Sequence, residues 1–416
     1  MLAHLAVAGT AAVVTAATVP LVARLARRIG ATACPTDTGE NQRPPAPSLG
    51  GLAMLAGFVV ALGVAYLLPG FEPLFASTSE PIALLVGAAL IVAVGIADDL
   101  IDLPATVKLA GQLAAALGVA LFGIQLVHFW VPGLDVVALS PDLALPLTIL
   151  ALVAMINALN LVDGLDGLAA GVAGIGAVAF FAFTIRTQTG GISDAIPTSA
   201  TLVAAVVIGI TVGFLVHNFY PARIIMGDTG SMLLGLLLGA AGVAYVGRTA
   251  APTDADFYGA VPLLVPALVL AIPFLDTAFA VVRRLVKRQP LTAGDRGHLH
   301  HLLLAFGHSP RRAVLVLWYW SAALAFGSVG PAFLPLEGLV PWMLVIVAAG
   351  VAVTVIGVKM SPRSQANNDT EDDDATGSGG ADEGVAGHGR ESTEVVDHTE
   401  AAGAKVMPFD RRSSAG

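Results

Sequence analysis

The chain has 416 residues, of which 56% are hydrophobic and 12% charged, with a formal net charge of -9. Apolar runs near or above the ~20 residues needed to cross a hydrocarbon core recur along most of it, which excludes a water-soluble globular class, and the lack of long alternating segments excludes a transmembrane barrel. The charge is localised: from Ser361 onward 12 acidic and 5 basic residues leave -7 in the tail and -2 elsewhere, while the single Cys34 excludes an internal disulfide or a cysteine metal cluster.

The expected fold is all-α, a polytopic integral membrane domain over residues 1–360 followed by a disordered acidic tail over 361–416. About 11 transmembrane helices are expected, near 1–23, 49–69, 81–97, 107–127, 142–158, 168–186, 199–217, 232–248, 260–282, 312–330 and 337–359. The run from Met1 to Val22 is longer than a usual signal-peptide core and leads directly into Arg24, Arg27 and Arg28, so it reads as a retained first span. An odd number of spans puts the two ends on opposite sides. Lys and Arg collect in the connections after spans one, three, seven and nine and at the start of the tail, with only Arg186 and Arg248 opposite. That basic face is expected to be cytoplasmic, with the N-terminus outside.

Five polar clusters fall in connections on this face, within 24–50, 98–106, 159–167, 218–231 and 283–311. A transporter is expected to carry its polar groups near the midplane on broken helices, whereas one rim suits an enzyme taking a water-soluble substrate from the cytoplasm. The first cluster runs from Cys34 to Gly51; its prolines and paired glycines make a stiff loop whose backbone can approach a ligand closely, or an ordinary connection. In the second, Asp98, Asp99 and Asp102 stand at the C-terminal end of a span, where the helix dipole is already negative and each acid costs about 0.3–1 kcal/mol. A divalent cation or the nearby Lys108 would relieve that cost.

The third cluster, Asn157-Ala-Leu-Asn-Leu-Val-Asp-Gly-Leu-Asp-Gly-Leu168, sets two carboxamides and two carboxylates between long apolar runs, at a boundary where an unpartnered ion is expensive. Asp163 and Asp166 either share one face of a helix at three-residue spacing, or belong to a turn capped by Asn160 and Asp163. The fourth, His217 to Ser231, leads into a span: Gly227 and Gly230 allow tight backbone geometry and free N–H groups favour phosphate. Asp228 there suits a magnesium ion bridging to phosphate oxygens, or a plain N-cap. The fifth, Asp295-Arg-Gly-His-Leu-His-His301, is a poor zinc set, with His298 and His301 on one face and His300 off it. Imidazoles binding phosphate and sugar hydroxyls fit it better. The neighbouring Arg283, Arg284, Lys287 and Arg288 either hold anionic headgroups or follow the positive-inside rule, which is the simpler account.

In the order and spacing of these clusters the chain resembles the polyprenyl-phosphate N-acetylhexosamine-1-phosphate transferase superfamily, from about Cys34 to Arg312. Asp98-Asp99, Asn157 to Leu168 and Met226 to Ser231 resemble its aspartate-rich motifs, and His298-Leu-His-His301 resembles the branch that uses UDP-GlcNAc. The resemblance implies a transferase that moves GlcNAc-1-phosphate from UDP-GlcNAc to a polyprenyl phosphate with Mg²⁺ or Mn²⁺ and releases UMP. It matches Asp98 and Asp99 to the catalytic acidic pair and Asp228 to the metal-binding aspartate. Lys108, Asn157, Asn160, Asp163, Asp166 and Asn218 would line the nucleotide and phosphate site, and His298, His300 and His301 the sugar-phosphate side. The partners implied are UDP-GlcNAc, polyprenyl phosphate and the lipid bilayer of a bacterial plasma membrane, with no nucleic acid and a homodimer left open. Alternative donors are another UDP-hexosamine or the muramoyl-pentapeptide nucleotide; a transporter or an inactive scaffold is the reading from another class. The first loop departs from the pattern, with Gln42 and Ser48 where relatives commonly carry His and a basic residue.

Overall fold

A computed structural model describes residues 1–33, 44–131, 135–189, 199–248, 302–304 and 306–359. They form the helices α1 (Leu2–Ile29), α2 (Gly50–Leu67), α3 (Glu72–Ser77), α4 (Glu80–Ile101), α5 (Ala105–Leu121), α6 (Pro141–Val162), α7 (Leu168–Thr189), α8 (Ser199–Asn218), α9 (Gly227–Arg248), α10 (Pro310–Val329) and α11 (Leu336–Lys359). Among the described residues nine helices are long and apolar enough to cross a membrane, and α5, at 17 residues, falls just short. The protein is a helical polytopic membrane protein. The span expected at 260–282, the histidines of the fifth cluster and the tail lie outside the described residues.

Two short antiparallel pairs interrupt the helices: β1 (Thr32–Ala33) opposite β2 (Ala46–Pro47), and β3 (His128–Val131) opposite β4 (Asp135–Ala138). They shorten the span expected at 107–127, since α5 stops at Leu121 and the chain turns into the β3–β4 hairpin. Helix starts use proline where no N–H partner is available, at Pro141 after Ser140 and Pro310 after Ser309. The end of α1 uses Gly30, whose left-handed backbone (φ 78) closes the last turn.

The centre of the bundle is α9, 94% of whose spanning window is buried, against 6% for the peripheral α11. Helix α9 packs on α2, α4, α6 and α8. Small residues set these distances, as expected where lipid removes the hydrophobic drive and packing takes over. A side chain at Gly235 would meet the α6 backbone at Ile156 (2.7 Å), and one at Gly213 would meet the α1 backbone at Ala12 (3.0 Å). Pro20 inside α1 removes the N–H that would bond the carbonyl of Ala16; His217 Nε2 of α8 donates to that oxygen at 3.1 Å, so the ring fills the gap the proline leaves.

Candidate active site

The start of α9 is where the distant segments meet. Its approach is held by backbone pairing with the end of the first loop: Ile225 N–H donates to Pro47 O (2.8 Å), Gly50 N–H to Ile225 O (3.1 Å) and Gly51 N–H to Met226 O (3.2 Å). The paired glycines of that loop therefore lie against protein backbone. Helix α9 begins at Gly227, earlier than the span expected from hydropathy, so Asp228 stands in its first turn.

The first N–H groups of a helix lack partners within it. Here α4 supplies them. Asp99 Oδ1 accepts from Asp228 N–H (2.9 Å), and Oδ2 accepts from Thr229 N–H (3.2 Å) and the Thr229 hydroxyl (2.6 Å). Asp99 thus joins the negative C-terminal end of α4 to the positive N-terminal end of α9, which answers the dipole cost anticipated from the sequence. Its neighbour Asp98 accepts from Leu103 N–H (3.1 Å) and pairs with Lys108 Nζ at 3.3 Å. The same ammonium contacts Asp228 Oδ2, so Lys108 bridges two carboxylates from α4 and α9.

From α6, Asn160 donates to Asp228 Oδ1 (2.9 Å) and to Ser231 Oγ (3.0 Å). Asn157 exchanges hydrogen bonds with Gln112 of α5, at 2.6 and 3.3 Å. Asp163 and Asp166 do not share a helix face: α6 ends at Val162, α7 begins at Leu168, and the residues between form a turn with Gly167 at φ 80. The turn alternative is the one found, but Asn160 does not cap it: it lies inside α6 and its carboxamide donates to Asp228 and Ser231. Glycines at 164 and 167 stop helix propagation more strongly than the carboxylate spacing favours it. Asp166 accepts from Ala222 N–H (2.9 Å). Buried Asn218 accepts from Gly167 N–H (3.0 Å) and donates to Ile224 O (2.9 Å), which ties this turn to the approach to α9. Burial, with the negative charges of Asp99 and Asp166 close by, pushes the Asp163 carboxyl up to about 7.

The structure thus brings Asp98, Asp99, Lys108, Asn157, Asn160, Asp163, Asp166, Asn218 and Asp228 to one end of the bundle. Sequence reasoning missed Gln112, Thr229 and Ser231 as partners. Gln112 carried a signal: it is a polar residue one turn beyond Lys108 in an otherwise apolar helix, and it is buried. Five carboxylates gather here, and Lys108 contacts two of them, Asp98 and Asp228. Among the described residues no group of three His, Cys, Asp or Glu forms a ready metal cage. The donor set nevertheless suits a hard cation that takes few protein carboxylates and completes its shell with phosphate oxygens: Asp228 Oδ2 is buried and, among the described residues, meets the Lys108 ammonium, a positive charge where such a cation would sit.

Residues 81–246, which span α4 to α9, match the model of "Glycosyl transferase family 4". The chain is 37% identical over 365 residues to the decaprenyl-phosphate N-acetylglucosaminephosphotransferase of Mycobacterium tuberculosis, covering 85% of this chain and 89% of that protein. It is 38% identical over 366 residues to the protein of the same name from Mycolicibacterium smegmatis, with the same coverage of 85% and 89%. A Bacillus subtilis protein named "Probable undecaprenyl-phosphate N-acetylglucosaminyl 1-phosphate transferase" is 35% identical over 302 residues, 72% of this chain and 76% of the relative.

Proposed function

Because the chain belongs to glycosyl transferase family 4, we propose that it transfers GlcNAc-1-phosphate from UDP-GlcNAc to a polyprenyl phosphate at the cytoplasmic face of a bacterial plasma membrane. An oxygen of the lipid phosphate bonds to the phosphorus that carries GlcNAc. The bond from that phosphorus to the oxygen shared with UMP breaks, and UMP leaves with the electron pair. Polyprenyl-diphospho-GlcNAc is the other product, made in a single displacement.

The observation that carries this reading is the gathering of acids, carboxamides and one ammonium around Asp228 at the start of α9. Both reactants are anionic, and their repulsion must be offset before they can meet. Asp228 would hold Mg²⁺, or Mn²⁺ in its place, and the bound cation would neutralise charge on the diphosphate. Lys108 draws the Asp98 and Asp228 carboxylates together and remains a cation for the departing phosphate. All three donors on Asp99 come from the first turn of α9, so it acts as a positioning residue. Asp98 is then the carboxylate of the pair that receives a proton from the lipid phosphate. Asn160 fixes the orientation of Asp228 through its Oδ1, and positioning of this kind accounts for several kcal/mol of barrier in two-substrate reactions. His298, His300 and His301 would serve the sugar-phosphate side.

Detergent-solubilised protein given radiolabelled UDP-GlcNAc, polyprenyl phosphate and Mg²⁺ should make a labelled lipid. Labelling only from another sugar nucleotide would move the donor assignment, and no labelling, with substrate uptake in vesicles, would overturn it.

A further inference from the structure

A cavity of about 360 Å³ opens between α10 and α11, away from the Arg311–Trp318 face of α10. That face is turned to the catalytic end: Arg311 donates to Tyr220 O (3.2 Å) and Trp318 Nε1 to Leu168 O (3.4 Å). The cavity has two kinds of wall. Leu315, Val316, Val353 and Ile356 make an apolar trough within the membrane part. Tyr319 also lines it, but its hydroxyl is committed to Ile346 O at 2.6 Å. The remaining polarity sits at one end, where α10 begins, in His308 and Arg312.

His308 is 4% exposed, and neither ring nitrogen has a hydrogen-bond partner among the described residues. A buried polar group without a partner is costly and calls for an explanation, a bound ion or ligand among them. Arg312 is exposed, and its guanidinium makes no hydrogen bond or ion pair among the described residues. From Arg312 to Tyr319 the trough runs about 10 Å along the helix axis. A free anion would satisfy the two polar side chains and leave the trough bare, while an apolar helix would fill the trough and strand the cations. An anionic amphiphile covers both.

We infer that the α10–α11 groove binds one anionic phospholipid, its headgroup phosphate accepting from Arg312 and His308 and one acyl chain lying along Leu315, Val316, Val353 and Ile356. The site is separate from that of the acceptor lipid, whose phosphate must reach Asp228: the groove is lined by α10, α11 and His308 and by none of the residues that contact Asp228.

Native mass spectrometry on the full chain, equilibrated with phosphatidylglycerol and phosphatidylcholine of matched acyl chains, tests this. One phosphatidylglycerol should be retained in preference to phosphatidylcholine. Arg312→Gln should lower that bound fraction about fivefold, the value of one cation near an anionic headgroup. Val353→Trp, which fills the trough, should lower it similarly; Arg312 is exposed, so its variant remains informative if the Trp variant fails to fold. Arg312→Gln should leave transferase turnover in phosphatidylcholine nanodiscs unchanged. Equal retention of the two lipids, or retention indifferent to Arg312→Gln, would overturn the proposal. So would equal occupancy by inorganic phosphate alone, or displacement of phosphatidylglycerol by polyprenyl phosphate with a raised KM for the acceptor in Arg312→Gln.

Discussion

Replacing Asp99 by alanine removes the acceptor of three hydrogen bonds at once, from the N–H groups of Asp228 and Thr229 and from the Thr229 hydroxyl. Hydrogen bonds to a charged group contribute about 1.5–3 kcal/mol each, and loss of a helix N-cap costs roughly 0.5–2 kcal/mol. The three bonds share one carboxylate and are not additive, and removing a partly buried charge returns some desolvation cost. A net loss of about 2–4 kcal/mol is expected from these terms. Asp99→Asn keeps one carbonyl oxygen for the start of α9 and should lose about half as much. Thermal unfolding of the detergent-purified variants measures this, in the order wild type, Asn, Ala. Turnover should follow the same order, with Asn reduced on the order of 10- to 100-fold because Asp228 shifts with its helix end. If Asp99→Ala melts like wild type while turnover disappears, Asp99 acts on substrate and its role as the link between α4 and α9 is wrong.

Three other expectations come from the same geometry. Asp228→Asn should abolish turnover and leave the protein folded; near-normal turnover at ordinary Mg²⁺ would remove Asp228 from the metal shell. Gly95→Ala places a methyl 2.6 Å from Thr229 N and 3.0 Å from the Asp228 carbonyl carbon, where backbone cannot give way easily, so a loss of about 1–3 kcal/mol and weaker turnover should appear together. An unchanged melting temperature would mean that α4 and α9 sit further apart. The Asp163 carboxyl is raised to about 7 in the fold, above its unfolded value near 3.9, so the folded state holds the proton more tightly and stability falls as pH rises from about 4 through about 7. Asp163→Asn removes that titration; its melting temperature relative to wild type should climb between pH 5.5 and pH 8 without substrate or metal, and a pH-independent difference would contradict the burial of that carboxyl.

The spans were legible because twenty-residue apolar runs admit few other structures in a bilayer. Their ends were less so. Hydropathy stops at the first charge, whereas α4 continues through Asp98 and Asp99 to Ile101, because Lys108 and the start of α9 satisfy those acids from outside the helix. The β3–β4 hairpin was hidden in an apolar run that could equally extend α5. Within the cluster, residue types and spacing named the polar groups but not their pairings. Asp99 with Thr229, Asn160 with Asp228 and Gln112 with Asn157 are contacts across 45 to 130 positions of sequence, which no local period encodes. The choice between helix face and turn for Asp163 and Asp166 was written in the two glycines between and after them, which outweigh carboxylate spacing.

The central claim is that this cluster moves a phosphorylated sugar, breaking the bond between the two phosphates of the donor. UDP-GlcNAc carrying ³²P in the phosphate nearest the sugar, incubated with the protein, polyprenyl phosphate and Mg²⁺, tests it most directly. The ³²P is expected to follow GlcNAc into the lipid while the released nucleotide is unlabelled UMP. Label retained in a released UDP, with GlcNAc alone on the lipid, would contradict it.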